Sequence, residues 1–216
     1  MTRKYFLIGF ALLVACLLAT AILYPHLPSQ IPTHWNAQGQ VDHYGAKWTL
    51  LVVNPAIMLG MLGMFAVLPW LSPRHFEVDT FRATYLYIML VFLAFFAYFH
   101  GLELWGAVSG HVQISKAILG GICLLFALLG NVLGKVRRNF YIGIRTPWTI
   151  AEERVWNATH RFAAKTFVIG GFVALVLALA GAPFWGPLIA LMAGAVVPAV
   201  YSLVYYKQLE RRGEIP

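Results

Sequence analysis

"YFLIGFALLVACLLATAILY", residues 5–24, holds no Asp, Glu, Lys or Arg. An uncharged apolar run of about twenty residues spans a hydrocarbon core roughly 30 Å thick as a helix. Arg3 and Lys4 before it, and Ala19-Thr20-Ala21 near its end, give it the outline of a secretory signal. The run continues through Tyr24, however, which is long enough to span, so it reads as an uncleaved first transmembrane helix.

Working outward, further apolar runs lie at about 48–71, 84–106, 114–134, 166–182 and 186–206. Gly181, Pro183, Gly186 and Pro187 separate the last two, because glycine and proline stop and start helices. Charged residues make up 11% of the chain, against about 25% in a soluble domain. A β-barrel is excluded, since the apolar stretches are continuous and do not alternate.

The net charge of +8 would suggest nucleic acid on a soluble protein. Here the basic residues flank apolar runs, as orientation signals do, so no direct nucleic-acid contact is expected. With the N-terminus in the cytoplasm, fourteen of the sixteen Lys and Arg fall inside, and Lys47 and Lys116 do not. The expected fold class is therefore an all-α integral membrane protein, a bundle of six transmembrane helices. Both termini are cytoplasmic, with one structured outer loop and one structured cytoplasmic loop. The expected division is a two-span unit, residues 1–83, and a four-span unit, residues 84–216.

Two connections exceed a turn, the outer 25–47 and the inner 135–165. Long loops on a protein made of spans are where function concentrates. In the outer loop, Pro25, Pro28 and Pro32 forbid a long helix and favour extended or turn conformations. Gly39 and Asp42 suit a turn, and Trp35 and Tyr44 suit the headgroup level. His26, His34, His43 and Asp42 raise a metal reading, but their spacing matches no compact ligand pattern. The competing reading is a folded cap in which His34, Asn36 and Asp42 bond the turn. No metal or cofactor is expected, and Cys16 and Cys123 read as small apolar residues within spans.

In the inner loop, Asn131, Gly134 and Lys135 end the fourth span, with Gly134 as the helix stop. Arg137, Arg138 and Asn139 then lead into Phe140-Tyr141-Ile142 at the membrane surface. A helix begins near 147–150. Either Thr146 caps it with Pro147 at the first position, or Thr149 and Glu152 form a capping box. Glu152 and Glu153 fall in its first turn, while Trp156 and His160 share a face. Gly143 and Arg145 fold back under the bundle, so that Arg145 either holds helix C-terminal carbonyls or meets a ligand. His160 is a candidate acid or base. His100 and Glu103 share a face near the outer end of the third span, within snorkelling reach of water. No G-x-S-x-G, H-E-x-x-H or P-loop pattern occurs, so the chain is not expected to be an enzyme.

The outer stretch resembles a membrane-domain signature LP-x-x-IP-x-HWN…G…D, through Leu27, Pro28, Ile31, Pro32, His34, Trp35, Asn36, Gly39 and Asp42. The inner stretch resembles the signature of the SdpI immunity protein family. It matches at Asn131, Gly134, Lys135, Asn139, Gly143, Ile144, Arg145, Thr146, Pro147, Trp148, Thr149, Trp156, Thr159 and His160. The resemblance implies a bacterial inner-membrane protein in contact with lipid, giving resistance to a secreted, membrane-active peptide toxin. It also implies a cytosolic transcriptional repressor held at the membrane when toxin is present. A transporter or membrane enzyme working through His100, Glu103, Arg145 and His160 is the alternative, and it requires a polar cavity joining them.

Overall fold

The first apolar run forms helix α1, Thr2–Leu23, and Pro25 within a 3₁₀ turn at Tyr24–His26 ends it. The structure, a computed structural model, describes residues 2–38, 40–73, 76, 78–110 and 115–215. Gly39, Arg74 and the start of the fourth span at Ile114 lie outside the described residues. The remaining long helices are α2 (Thr49–Leu71), α3 (Arg82–Ser109) and α4 (Ser115–Leu133). A short α5 (Pro147–Ala151) precedes α6 (Glu153–Leu179) and α7 (Trp185–Arg211). Among the described residues, six helices are long and apolar enough to cross a membrane. Their outer faces agree with that reading: Trp70, Ile169, Phe172 and Leu179 expose 84%, 61%, 65% and 75% of their surface. Apolar exteriors of this kind suit hydrocarbon and would associate in water.

The all-α expectation holds for the spans and not for the outer loop. Strands β1 (Gln30–Trp35) and β2 (Val41–Ala46) pair as an antiparallel hairpin. The three prolines rule out a helix there, and a two-stranded ribbon tolerates Pro32 because each strand has a free edge. Register shifts around Thr33 and Asp42 kink the ribbon. Ile31, 1% exposed, anchors it to the bundle by packing with Leu27, Leu50, Leu104 and Ala107. Lys47, one of the two cations at odds with the charge rule, donates to the carbonyls of Tyr24 and Leu27 at 3.2 and 3.3 Å. A cation there satisfies carbonyls that the end of α1 leaves open.

The second correction concerns the sixth-to-last element boundaries. The span expected at 166–182 is the second half of a single helix, because α6 starts at Glu153 and runs unbroken to Leu179. No glycine or proline interrupts residues 153–166, and the amphipathic start simply continues into the apolar run.

Helices α1, α2 and α3 pack together, α3 touches α4, and α6 packs most extensively against α7 and α4. That last contact is made by small residues. A Cβ on Gly194 would lie 2.9 Å from the Thr166 carbonyl oxygen, one on Gly170 2.8 Å from that of Ala190, and one on Gly171 2.8 Å from that of Cys123. Thr166 also donates to the Gly194 carbonyl at 2.8 Å. Small residues let backbones approach where lipid supplies no hydrophobic driving force between helices. Gly194→Leu should therefore separate α6 from α7 and cost about 1–3 kcal/mol or more. A lowered unfolding midpoint in detergent is the expected result, with Gly60→Leu, whose added carbon meets nothing within 4 Å, as the tolerated control.

Candidate functional site

The 134–160 segment is built around four residues whose polar groups are all used. The α4 helix ends at Leu133, and Lys135 and Val136 donate back to Val132 and Leu133 at 2.9 and 3.1 Å. Gly134 ends this helix without the positive φ expected of a glycine stop. Trp156, fully buried, donates its indole N–H to the Val136 carbonyl at 2.7 Å. Asn139, also fully buried, uses both ends of its amide. Its Oδ1 accepts from the Tyr141 and Ile142 amides at 2.7 Å each, and its Nδ2 donates to the Arg137 and Ile142 carbonyls at 2.8 and 3.0 Å. That exhausts the amide and locks the turn.

His160 closes the other side. Its Nε2 accepts from the Ile144 amide at 3.0 Å, so its Nδ1 carries the proton, which it donates to the Trp156 carbonyl at 2.8 Å. The ring stacks on Trp156 with centroids 4.0 Å apart and an 18° interplanar angle. The candidate acid–base role is corrected by this geometry. Both nitrogens are bonded to backbone, and a second proton would meet the Ile144 N–H. Gly143 sits at φ 111° against the same ring, and a Cβ there would lie 2.3 Å from Nε2. Glycine is required twice over, for the dihedral and for the space.

Thr146 and Thr149 form a reciprocal capping box at the start of α5, with Pro147 in the first turn. Of the two capping schemes open from sequence, the Thr146 scheme is the one that forms. Glu152 instead caps α6 by accepting from the Arg154 amide at 3.0 Å. The Thr146 hydroxyl also lies 2.9 Å from that of Ser202, fastening α5 to α7. Arg145 is not buried; it is exposed and donates to the Phe140 carbonyl. The carbonyls at the end of α5, Ile150 and Ala151, are served by Arg138 at 3.3 and 3.4 Å, over the Phe76 ring. Asn131 and Lys135 are exposed, and Trp148 is half-buried. Arg154 pairs with Glu214 beyond α7, and that hydrogen bond holds the Glu214 carboxyl below its usual range.

The hairpin end is different in kind. His34 and Asp42 pair at 2.6 Å, and both are largely exposed. Asn36 Oδ1 accepts from the Gln38 and Gln40 amides at 3.0 and 2.9 Å, which makes the turn. The folded-cap reading of these residues therefore describes the observed bonds. Trp35 lines, with His34 and Asn36, a cavity of about 770 Å³. Among the described residues, no three His, Cys, Asp or Glu side chains converge as metal ligands.

The intramembrane pair does not stay together. His100 does not snorkel: it is 1% exposed, with Nε2 2.7 Å from the Thr20 hydroxyl, which itself donates to the Cys16 carbonyl at 3.0 Å. Glu103 is half-buried. Thr20 and Asn54 were legible only as lone polar residues in apolar runs. Asn54 donates to the Phe96 carbonyl at 2.9 Å and so bolts α2 to α3. Of three cavities that open on the described residues, none is lined by His100, Glu103, Arg145 or His160.

Residues 135–206 match the SdpI/YfhL protein family model. The resemblance to the SdpI family is borne out. Residues 11–59 match a second model, Domain of unknown function (DUF1648). The chain is also 28% identical over 207 residues to Immunity protein SdpI of Bacillus subtilis (strain 168), covering 92% of this chain and 95% of the relative. No solved structure matches. With six spanning helices and this relative, the chain is a multi-pass bacterial membrane protein.

The SdpI-like segment contains the whole His160 assembly. Gly143→Ala should displace His160, free the Ile144 amide and loosen the loop. Leaving that buried donor unpaired costs about 1–3 kcal/mol. In detergent, trypsin should then cut at Arg138 or Arg145 markedly faster than in the unaltered protein, with His160→Phe giving the same result. Unchanged cutting of both variants would show that the bond does not hold the loop.

Proposed function

We propose that this chain is a membrane immunity protein that gives its host resistance to a secreted, membrane-active peptide toxin. The observation that carries the reading is the near full-length similarity to Immunity protein SdpI, at 28% identity. The geometry supports it from a second direction. His100 and His160 are bonded to a neighbouring side chain or to backbone, and Arg145 to a backbone carbonyl, which leaves little for catalysis. The hairpin end, by contrast, keeps an open cavity beside exposed polar groups.

The orientation that goes with this reading places both termini and the 134–152 loop in the cytoplasm and the hairpin outside. It follows from the distribution of Lys and Arg. Within it, residues 1–83 with the hairpin are the toxin-facing unit and residues 84–216 the SdpI-like unit. The exposed cations Lys135, Arg137 and Arg145 form the face that would hold a cytosolic repressor.

Expression in an SDP-sensitive strain tests the reading. Protected growth is expected, and unchanged killing with the protein present in the membrane would overturn it. A combined Lys135→Ala and Arg145→Ala variant separates the two roles. It should keep protection, because neither residue holds the fold core, while a repressor-controlled reporter loses its response to toxin.

A further inference from the structure

The cavity at the hairpin end has an unusual wall. Thr33, His34, Trp35 and Asn36 all line it, whereas no residue of β2 does. Successive strand side chains point to opposite faces, so consecutive residues border one cavity only when the strand presents its edge. The sheet has two strands, and among the described residues no other strand pairs with this edge of β1. An edge of this kind carries a row of backbone donors and acceptors ready to pair with another chain.

The opposite wall is apolar. Phe99 of α3 and Ile118, Leu119 and Ile122 of α4 form its floor, and Phe184 and Trp185 stand at the rim between α6 and α7. Both rim rings are exposed. Lys116 is the one formally charged residue of the lining, and it is exposed, while the neighbouring His34 is already paired with Asp42. The volume of about 770 Å³ lies within the range of small-ligand sites, roughly 300–1,000 Å³, so it admits a short segment and no folded domain.

We propose that this groove takes an extended, apolar peptide segment bearing an acidic group. The segment adds to the free edge of β1 as a third strand, sets its apolar side chains on α4 and places its carboxylate near Lys116. A peptide fits both walls, because its backbone pairs with the strand while its side chains fill the floor. A lipid acyl chain would fill the floor equally well, but it offers the strand edge no hydrogen bond. The inference rests on the immunity reading, naming the surface through which the toxin is met.

Accessibility of single cysteines tests it in the full chain, reconstituted in vesicles. Cys16 and Cys123 are buried and are first replaced by alanine. Cysteines then go singly to Thr33 in the edge wall, Leu119 in the floor, and Tyr44 on β2, outside the lining. A membrane-impermeant maleimide reports labelling with and without SDP peptide. At about ten times the Kd, labelling of T33C and L119C should slow about tenfold, since only unoccupied protein reacts. Labelling of Y44C should not change, and Lys116→Gln should raise the peptide concentration needed. Amide exchange at residues 33–36 should slow with peptide, as strand pairing requires.

Each other outcome is decisive. Unaltered labelling at both groove positions, with cells still protected by the unsubstituted chain, overturns the groove and leaves the immunity reading standing. Slowed groove labelling without protection of cells keeps the peptide site and overturns the immunity reading. Equal slowing by phosphatidylglycerol vesicles lacking peptide assigns the groove to lipid and overturns the proposal.

Discussion

A backbone amide in hydrocarbon has no water to bond, and that constraint governs the rest of this chain. Within the six long helices the requirement is met locally, residue by residue. The difficulty moves to the ends, where each helix leaves carbonyls or amides without partners. The molecule answers with side chains that reach back to backbone. Lys47 serves the carbonyls after α1, Arg138 those of α5, and His160 the amide of Ile144. Trp156 and Asn139 do the same for the turn after α4. Charge, aromaticity and glycine cluster in the 134–160 segment because that is where the most backbone must be satisfied without a helix.

The two ends of the bundle therefore have opposite characters. At the α5 end polar groups turn inward, each bonded to backbone, and the site residues are structural in the strict sense. At the hairpin end the turn is satisfied, yet a strand edge and an apolar floor still face one another across open space. A receptor for a membrane-active peptide needs such a surface, since the peptide brings apolar side chains and unpaired backbone together.

Much of this was legible before any fold. The number of spans, the break between α6 and α7, the Thr146–Pro147 helix start and the shared face of Trp156 and His160 all follow from local pattern. The misreadings share a cause. Arg145 and Arg138 are alike in sequence, and only the path of the loop decides which one reaches the α5 carbonyls. His100 lies near a helix end by position, but α1 covers it and supplies Thr20. Lys47 offends the charge rule until Tyr24 and Leu27 are seen beside it.

Hydropathy along the chain was enough to set the solvent, the six helices and the proline-barred loop, because each depends on neighbours in sequence. Composition alone made the chain a membrane protein. Which polar residues would be used up and which left open required the tertiary structure. Hydrogen bonds such as Ile144 to His160 and Thr146 to Ser202 join residues 16 and 56 positions apart. The groove is more remote still, assembled from β1, α3, α4 and the α6–α7 turn. No local pattern encodes a cavity whose walls come from four separate parts of the chain. It exists only because helix packing brings them to the same end of the bundle.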